Sequence, residues 1–263
     1  MKRKFLSKTA SYALLSAGIL IACQKEQLQI ISADATGTLS SVRPQAIAKT
    51  HGLILKSFSH SNRTYHLQYS PNGLLDSIIV TGRHPYVYRV RYKGTHLDSV
   101  LLVDGGRSVS VHRNFGYKGN MITSYDYYDR LYNVPYPWTY TFTFDGQKRM
   151  TGFERWHYKQ MVNHSEFSYD AADNIVTWND FSYFGGNYTY DNQLNPLHLV
   201  PDLFAIMIED QWVTEYSFSA HNSVTHTFFS GGGLSFQNQY NIDGQLLAKL
   251  LSDNGPGLSF SYQ

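Results

Sequence analysis

The chain holds 263 residues, with 22 Lys and Arg against 20 Asp and Glu and a single Cys. No basic run or stripe appears, which argues against nucleic acid as a partner, and a lone cysteine excludes an internal disulfide framework. Tyrosine and phenylalanine, at 21 and 15 residues, dominate a composition poor in Glu-, Lys- and Ala-rich helical stretches, and such residues favour pleated, half-buried surfaces.

Lys2, Arg3 and Lys4 open the chain, and the uncharged stretch from Thr9 to Ala22 follows. That stretch is too short to cross a bilayer core, which needs about 20 residues; its layout is that of a signal peptide. Leu20-Ile21-Ala22-Cys23 resembles the bacterial lipobox. Residues 1–22 are therefore expected to be removed, and Cys23 to become a lipidated N-terminus that ties the protein to a membrane. Removal of the leader leaves 18 basic against 20 acidic residues. Gln24-Lys25-Glu26 lacks the Asp of an inner-membrane retention signal. It resembles the Gln-Lys-acid tag that routes some Bacteroidetes lipoproteins to the outer face of the outer membrane. Without that resemblance, the same residues simply open a linker. Residues 23–48, rich in Ser, Thr, Ala and Gln beyond Glu26, read as a tether.

Residues 49–263 carry a repeat. An alternating strand ends in Tyr or Phe, a turn of Gly, Asn and Asp follows, and an aliphatic residue opens a return strand. Eight copies occur, among them Tyr69-Ser-Pro-Asn-Gly-Leu-Leu75, Tyr92-Lys-Gly-Thr-His-Leu97, Phe144-Asp-Gly-Gln-Lys-Arg-Met150, Tyr169-Asp-Ala-Ala-Asp-Asn-Ile175 and Tyr240-Asn-Ile-Asp-Gly-Gln-Leu246. Glycine and asparagine supply the positive φ that tight hairpin turns need. Between the turns, Tyr86 to Tyr92 and Thr139 to Phe144 alternate, giving each strand one buried and one wet face. The expected fold is all-β: a long antiparallel meander of some sixteen strands, curled or closed into a barrel-like sheet. A transmembrane barrel is the rival, but many tyrosines prefer an interface to the hydrocarbon centre. A water-bathed domain is expected.

One segment breaks the rhythm. Asn195 to Asp210 contains Leu197, Leu199, Leu203, Phe204, Ile206, Met207 and Ile208 around Pro201. It predicts a loop and a short helical turn plugging one end of the sheet, with a single buried strand as the alternative.

The aromatic-Asp-x-x-Gly-x-Leu rhythm resembles the YD repeats of Rhs-type proteins. With the lipobox and Tyr190-Asp-Asn-Gln-Leu-Asn-Pro196, the chain also resembles Bacteroidetes lipoprotein families of unknown function with a porin-like β fold. The resemblance implies a fold, no activity and no cofactor.

Candidate chemistry is sparse. His60 and His66, His157 and His164, and His221 and His226 have neither the helical nor the same-face strand spacing of metal ligands. Ser230-Gly-Gly-Gly-Leu-Ser235 lacks the features of a nucleophile elbow or a phosphate loop and reads as a hairpin loop. Glu154, Glu166, Glu209 and Glu215 offer carboxylates for a glycosidase pair, with nothing to select two. Ser77 and Ser99, in Asp-Ser-aliphatic triplets, resemble O-glycosylation acceptors of the same bacterial group; repeat homology explains them equally. Trp138, Trp156, Trp178 and Trp212 are candidates for an aromatic binding platform, against core packing. The expected function is a non-catalytic envelope lipoprotein at the cell surface that binds a glycan or protein partner. A structural spacer of the outer membrane and a hydrolase with an unrecognised site are the alternatives.

Overall fold

A computed structural model describes residues 54–130, 136–180, 185–200, 202–208, 213, 217–251 and 257–262. The leader, Cys23, Gln24, Lys25, Glu26, Trp212, Glu209 and Glu215 lie outside these.

The described strands are β1 (Leu55–His60), β2 (Arg63–Tyr69), β3 (Leu75–Gly82), β4 (Tyr86–Lys93), β5 (His96–Asp104), β6 (Arg107–Lys118), β7 (Met121–Asp129) and β8 (Trp138–Phe144). The second half adds β9 (Met150–His157), β10 (Gln160–Tyr169), β11 (Ile175–Asp180), β12 (Gly186–Leu194), β13 (His221–Phe228), β14 (Gly233–Tyr240), β15 (Leu246–Leu251) and β16 (Leu258–Tyr262). Each strand pairs antiparallel with its sequence neighbour, and β1 pairs with β16, so the meander closes into a sixteen-stranded barrel. Closure removes the two edges that an open tyrosine-rich sheet would expose.

In such a meander, turns alternate between two ends. Those after even-numbered strands, the start of β1 and the finish of β16 share one end, here called proximal because the chain enters there. Those after odd-numbered strands form the distal end.

Six of the eight copies form hairpin turns, after β2, β4, β6, β8, β10 and β14, all at the proximal end. Tyr190–Leu194 lies within β12 and Phe218–Val224 runs into β13, because the plug takes the place of their hairpin. The side chains of the turns explain the sequence pattern. Asp145 Oδ1 accepts the backbone N–H groups of Gln147 and Arg149, both at 2.9 Å, while Arg149 Nε donates to Asp145 Oδ2 at 2.7 Å. Asp170 does the same for Ala172, Asn174 and the Asn174 side chain; Asn241 Oδ1 accepts from the backbone N–H groups of Asp243 and Gln245, and its Nδ2 donates to Gln245 Oε1. These are Asx turns, in which a short polar side chain supplies the acceptor that the turning backbone lacks. The aromatic residue just before each turn has its own task. Tyr117 donates its hydroxyl to Leu97 O at 2.6 Å, Tyr169 to Met150 O at 2.7 Å, and Tyr262 to Leu246 O at 2.7 Å. Each hydroxyl thus ties one repeat to the residue that opens the previous return strand. Burial pushes the phenols of Tyr69, Tyr117, Tyr169 and Tyr262 well above their ordinary value.

The core lies inside the barrel. Phe58, Tyr65, Ile78, Tyr88, Val100, Tyr125, Tyr140, Phe142, Phe167 and Phe260 point inward and are buried. Between β12 and β13 the chain turns into the lumen: α1 (Leu203–Ile206) and its flanks bury Leu197, Ala205, Met207 and Phe218. Phe204 packs edge-on against Phe142 at 5.4 Å, and His112 Nδ1 donates to Ala205 O at 3.0 Å. The expected helical plug is present, at the proximal end.

The outer wall is polar. Lys56, His66, Gln68, Arg89, Arg91, Arg113, Glu166, Asn179 and Gln237 point outward and are exposed. An apolar stripe of Ile79, Val87, Leu101, Val103, Val111 and Tyr128 crosses β3 to β7, flanked by Arg89, Arg91 and Arg113. An Arg at the bilayer midplane of a barrel costs about 2–4 kcal/mol. This wall is the inverse of a lipid-facing one, which alternates apolar-out and polar-in.

Candidate functional site: an aromatic distal rim

Of the exposed large apolar side chains among the described residues, Tyr136, Tyr158, Met161, Val162, Phe229 and Leu250 belong to the distal end; the others are Ile54 and Ile242. The densest group surrounds the β9–β10 hairpin. Trp138 opens β8 opposite His157 of β9, which puts both rings on the inward face; they stack at 4.1 Å with planes 16° apart. The Arg155 guanidinium lies 4.9 Å from the Trp138 ring centre. Outward along the rim, His157 meets Tyr158 edge-on at 4.3 Å, and Tyr158 meets Tyr136 at 4.6 Å. Tyr136 is 55% exposed and Tyr158 54% exposed.

The turn that lifts Tyr158 is strained. His157 pairs with Gln160, so Tyr158 and Lys159 alone make the bend, with φ of 51° and 62°. Tight two-residue hairpins require such angles and normally recruit Asn-Gly. A bulky L-residue there costs about 1–2 kcal/mol. Strain at an exposed aromatic is a pointer to function, because sequence choice there has not followed stability. Chemically, the rim offers ring faces and edges together with cations: a surface that stacks and hydrogen-bonds.

Two other polar groups stand apart from the rim. Inside the proximal half, the buried Lys249 donates to Ser223 O and Ser223 Oγ, both at 2.6 Å. Asn238 donates to Ser223 O and to Asp191 Oδ2, and the Tyr240 hydroxyl donates to the same Asp191 oxygen and accepts from Asn222. Burial, then the Asp191 charge, raises the Tyr240 phenol. The crevice beside this network, lined by Tyr188, His221, Leu246 and Phe260, has its polar groups turned on one another. On the outer wall, His164 Nε2 lies 3.0 Å from Glu166 Oε1, and His164 Nδ1 3.8 Å from Glu154 Oε1. Glu154 also accepts from Thr141 and from Trp156 Nε1. These carboxylates flank a histidine, but on a convex surface, whereas sites that enclose a substrate are concave.

The tryptophans do not form one platform. Trp178 is 3% exposed and packs on Phe167. Trp138 faces the lumen, while Trp156, opposite Thr139 on the neighbouring strand, faces outward. Of the three described tryptophans, Trp138 alone joins the rim. The tyrosines beside it carry the exposure, and their signal was the Tyr158-Lys159 pair standing where a turn residue belongs. Ser77 and Ser99 both lie on the outer wall; Ser77 is 7% exposed and donates to Gln68 Oε1 at 2.8 Å.

No family model matches the chain, and no curated protein matches it. Solved structures do. A porin-like protein from Bacteroides uniformis is 12% identical, with 80% of this chain and 96% of that one aligned at a TM-score of 0.52. A porin-like protein from Bacteroides vulgatus is 11% identical over 80% of this chain and 98% of that one, at a TM-score of 0.37. The Tc holotoxin pore of Photorhabdus luminescens is 11% identical over 76% of this chain and 9% of that one, at 0.30. The first of these likenesses shows that the chain shares its barrel fold with a Bacteroides protein described as porin-like.

Proposed function

We propose that the protein is a non-catalytic lipoprotein of the outer membrane, displayed at the cell surface, whose barrel is a tethered head that binds a glycan or protein partner. The observation that carries this reading is the exposed Tyr136–Tyr158 pair at the end of the barrel opposite the point where the chain enters. The described chain enters the barrel at the proximal end, so a lipid on Cys23 would hold the barrel by that end and leave the aromatic rim at the far one. The polar outer wall supports a barrel bathed in water and attached by lipid. The porin-like fold and the lipobox resemblance agree with an envelope address.

Protease treatment of intact cells tests it. Wild type is expected to be shaved, a variant with Gln24-Lys25-Glu26 replaced by alanines to be protected, and Cys23→Ala to leave the membrane fraction. A wild type resistant on intact cells but digested after permeabilisation overturns surface display. The filled lumen favours a second reading, a rigid spacer. On that reading Tyr136→Ala/Tyr158→Ala leaves every binding property of the protein unchanged.

A further inference from the structure

Resting on that reading, we propose that the distal rim binds an anionic polysaccharide, with Tyr136 and Tyr158 against sugar rings and an arc of cations along its acidic groups. The arc is built by four neighbouring distal hairpins. Arg83 stands after β3, Arg107 opens β6, Arg130 follows β7, and Lys159 lies in the β9–β10 turn. All four are exposed. Asp104 and Asp129 lie among them, so the arc keeps a net positive charge. The proximal turns lack this excess, with Asp145, Asp170, Asp173, Asp191 and Asp243 against Lys93, Lys118, Lys148 and Arg149. An anionic chain is thus drawn to the end that faces away from the tether in preference to the other.

Spacing selects the polymer. Neighbouring distal turns lie two strands apart, about 10 Å along the rim at ordinary strand spacing, close to the length of two linked sugar rings. Duplex DNA presents one charge per about 1.7 Å of axis and needs a much denser basic surface. Sparse cations beside exposed tyrosines fit a polymer with sparse charge and apolar ring faces, as a uronate-bearing glycan has.

The test is affinity electrophoresis of the mature, folded chain through gels containing polygalacturonate, neutral dextran or double-stranded DNA. Retardation by polygalacturonate is expected, weakening as salt rises from about 50 mM to about 500 mM. Neither dextran nor DNA is expected to match it. Tyr136→Ala/Tyr158→Ala and, separately, Arg107→Ala/Arg130→Ala are each expected to weaken apparent affinity about tenfold with unchanged thermal transitions. The arginine pair keeps the test decisive should loss of the tyrosines disturb the hairpin. Rim-dependent retardation by dextran overturns the anionic partner while glycan binding stands. Stronger retardation by DNA that ignores the tyrosines reduces the arc to general charge attraction and overturns the proposal. No retardation, or none that depends on the rim, overturns it as well, and cell-surface display is then still judged by protease shaving.

Discussion

The two ends of the barrel are made from the same hairpin unit, yet they have been written by different rules. At the proximal end, turn after turn places Asp or Asn where its oxygen caps two backbone N–H groups, and a tyrosine hydroxyl ties each repeat to the last. The plug seals that end with buried aliphatic side chains. At the distal end, Tyr158 and Lys159 hold a bend made for Asn-Gly, and apolar rings stand in water. Lys148, at φ 67°, departs from favoured turn residues at the proximal end too, but Asp145 caps the backbone of that turn. At the distal bend exposed rings stand beside the departure, and the proposed binding role rests on that contrast.

The largest effect is expected from the plug. Ile206 is fully buried, so Ile206→Asp places an unpaired charge in the lumen and should cost more than about 4 kcal/mol. Urea denaturation is expected to show a collapsed midpoint or no cooperative transition. A variant as stable as wild type would mean that the plug is not part of the folded core.

Acid should act next, and through the same contact. Burial holds the His112 imidazole down at about 4, against an ordinary 6.5, only partly offset by its bond to Ala205. The unfolded chain therefore takes up this proton at a higher pH than the barrel does. Stability is full above pH 6.5 and is lost as pH falls toward 4, by about 3 kcal/mol. His198 and His221, both lowered chiefly by burial, add in the same direction. Denaturation midpoints across this range should fall less steeply in His112→Gln than in wild type.

The rim is expected to respond with the opposite sign. Tyr158→Asn/Lys159→Gly restores favoured turn residues and should raise stability by about 1 kcal/mol while weakening polysaccharide binding. A variant both less stable and equally adhesive would erase the contrast between the ends. The smallest effect belongs to a single proximal hydroxyl. Tyr169→Phe removes the bond to Met150 O and should cost about 1 kcal/mol, read as a lower thermal midpoint with binding intact.

Much of the proximal end was legible in the sequence, because Asx turns and strand alternation are local. Asp145, Asp170 and Asn241 announce themselves by their neighbours, and the apolar break after Asn195 announces the plug. The destinations of the tyrosine hydroxyls were not legible, since Tyr169 reaches Met150 on the neighbouring strand in a register that no local signal states. The tryptophans show the same limit. Trp138 and Trp156 look equivalent in a list of aromatics, but pairing of Trp138 with His157 turns them to opposite faces, a matter of parity between strands. The rim emerges only after the hairpins are laid side by side.

The seam between β1 and β16 sets the order of events in folding. Ser57 Oγ meets Ser261 Oγ at 2.7 Å across 204 residues, among the longest-range contacts the chain makes. Every hairpin can form as soon as its own residues are available, but the cylinder closes only when Leu258 to Tyr262 arrive. Until then β1 and the growing sheet present raw edges to any neighbouring chain, and the long-range pairing makes the last step slow. A protein read as exported thus has a fold whose lock is β16: a chain cut before Leu258 would keep its turns and lose its cylinder.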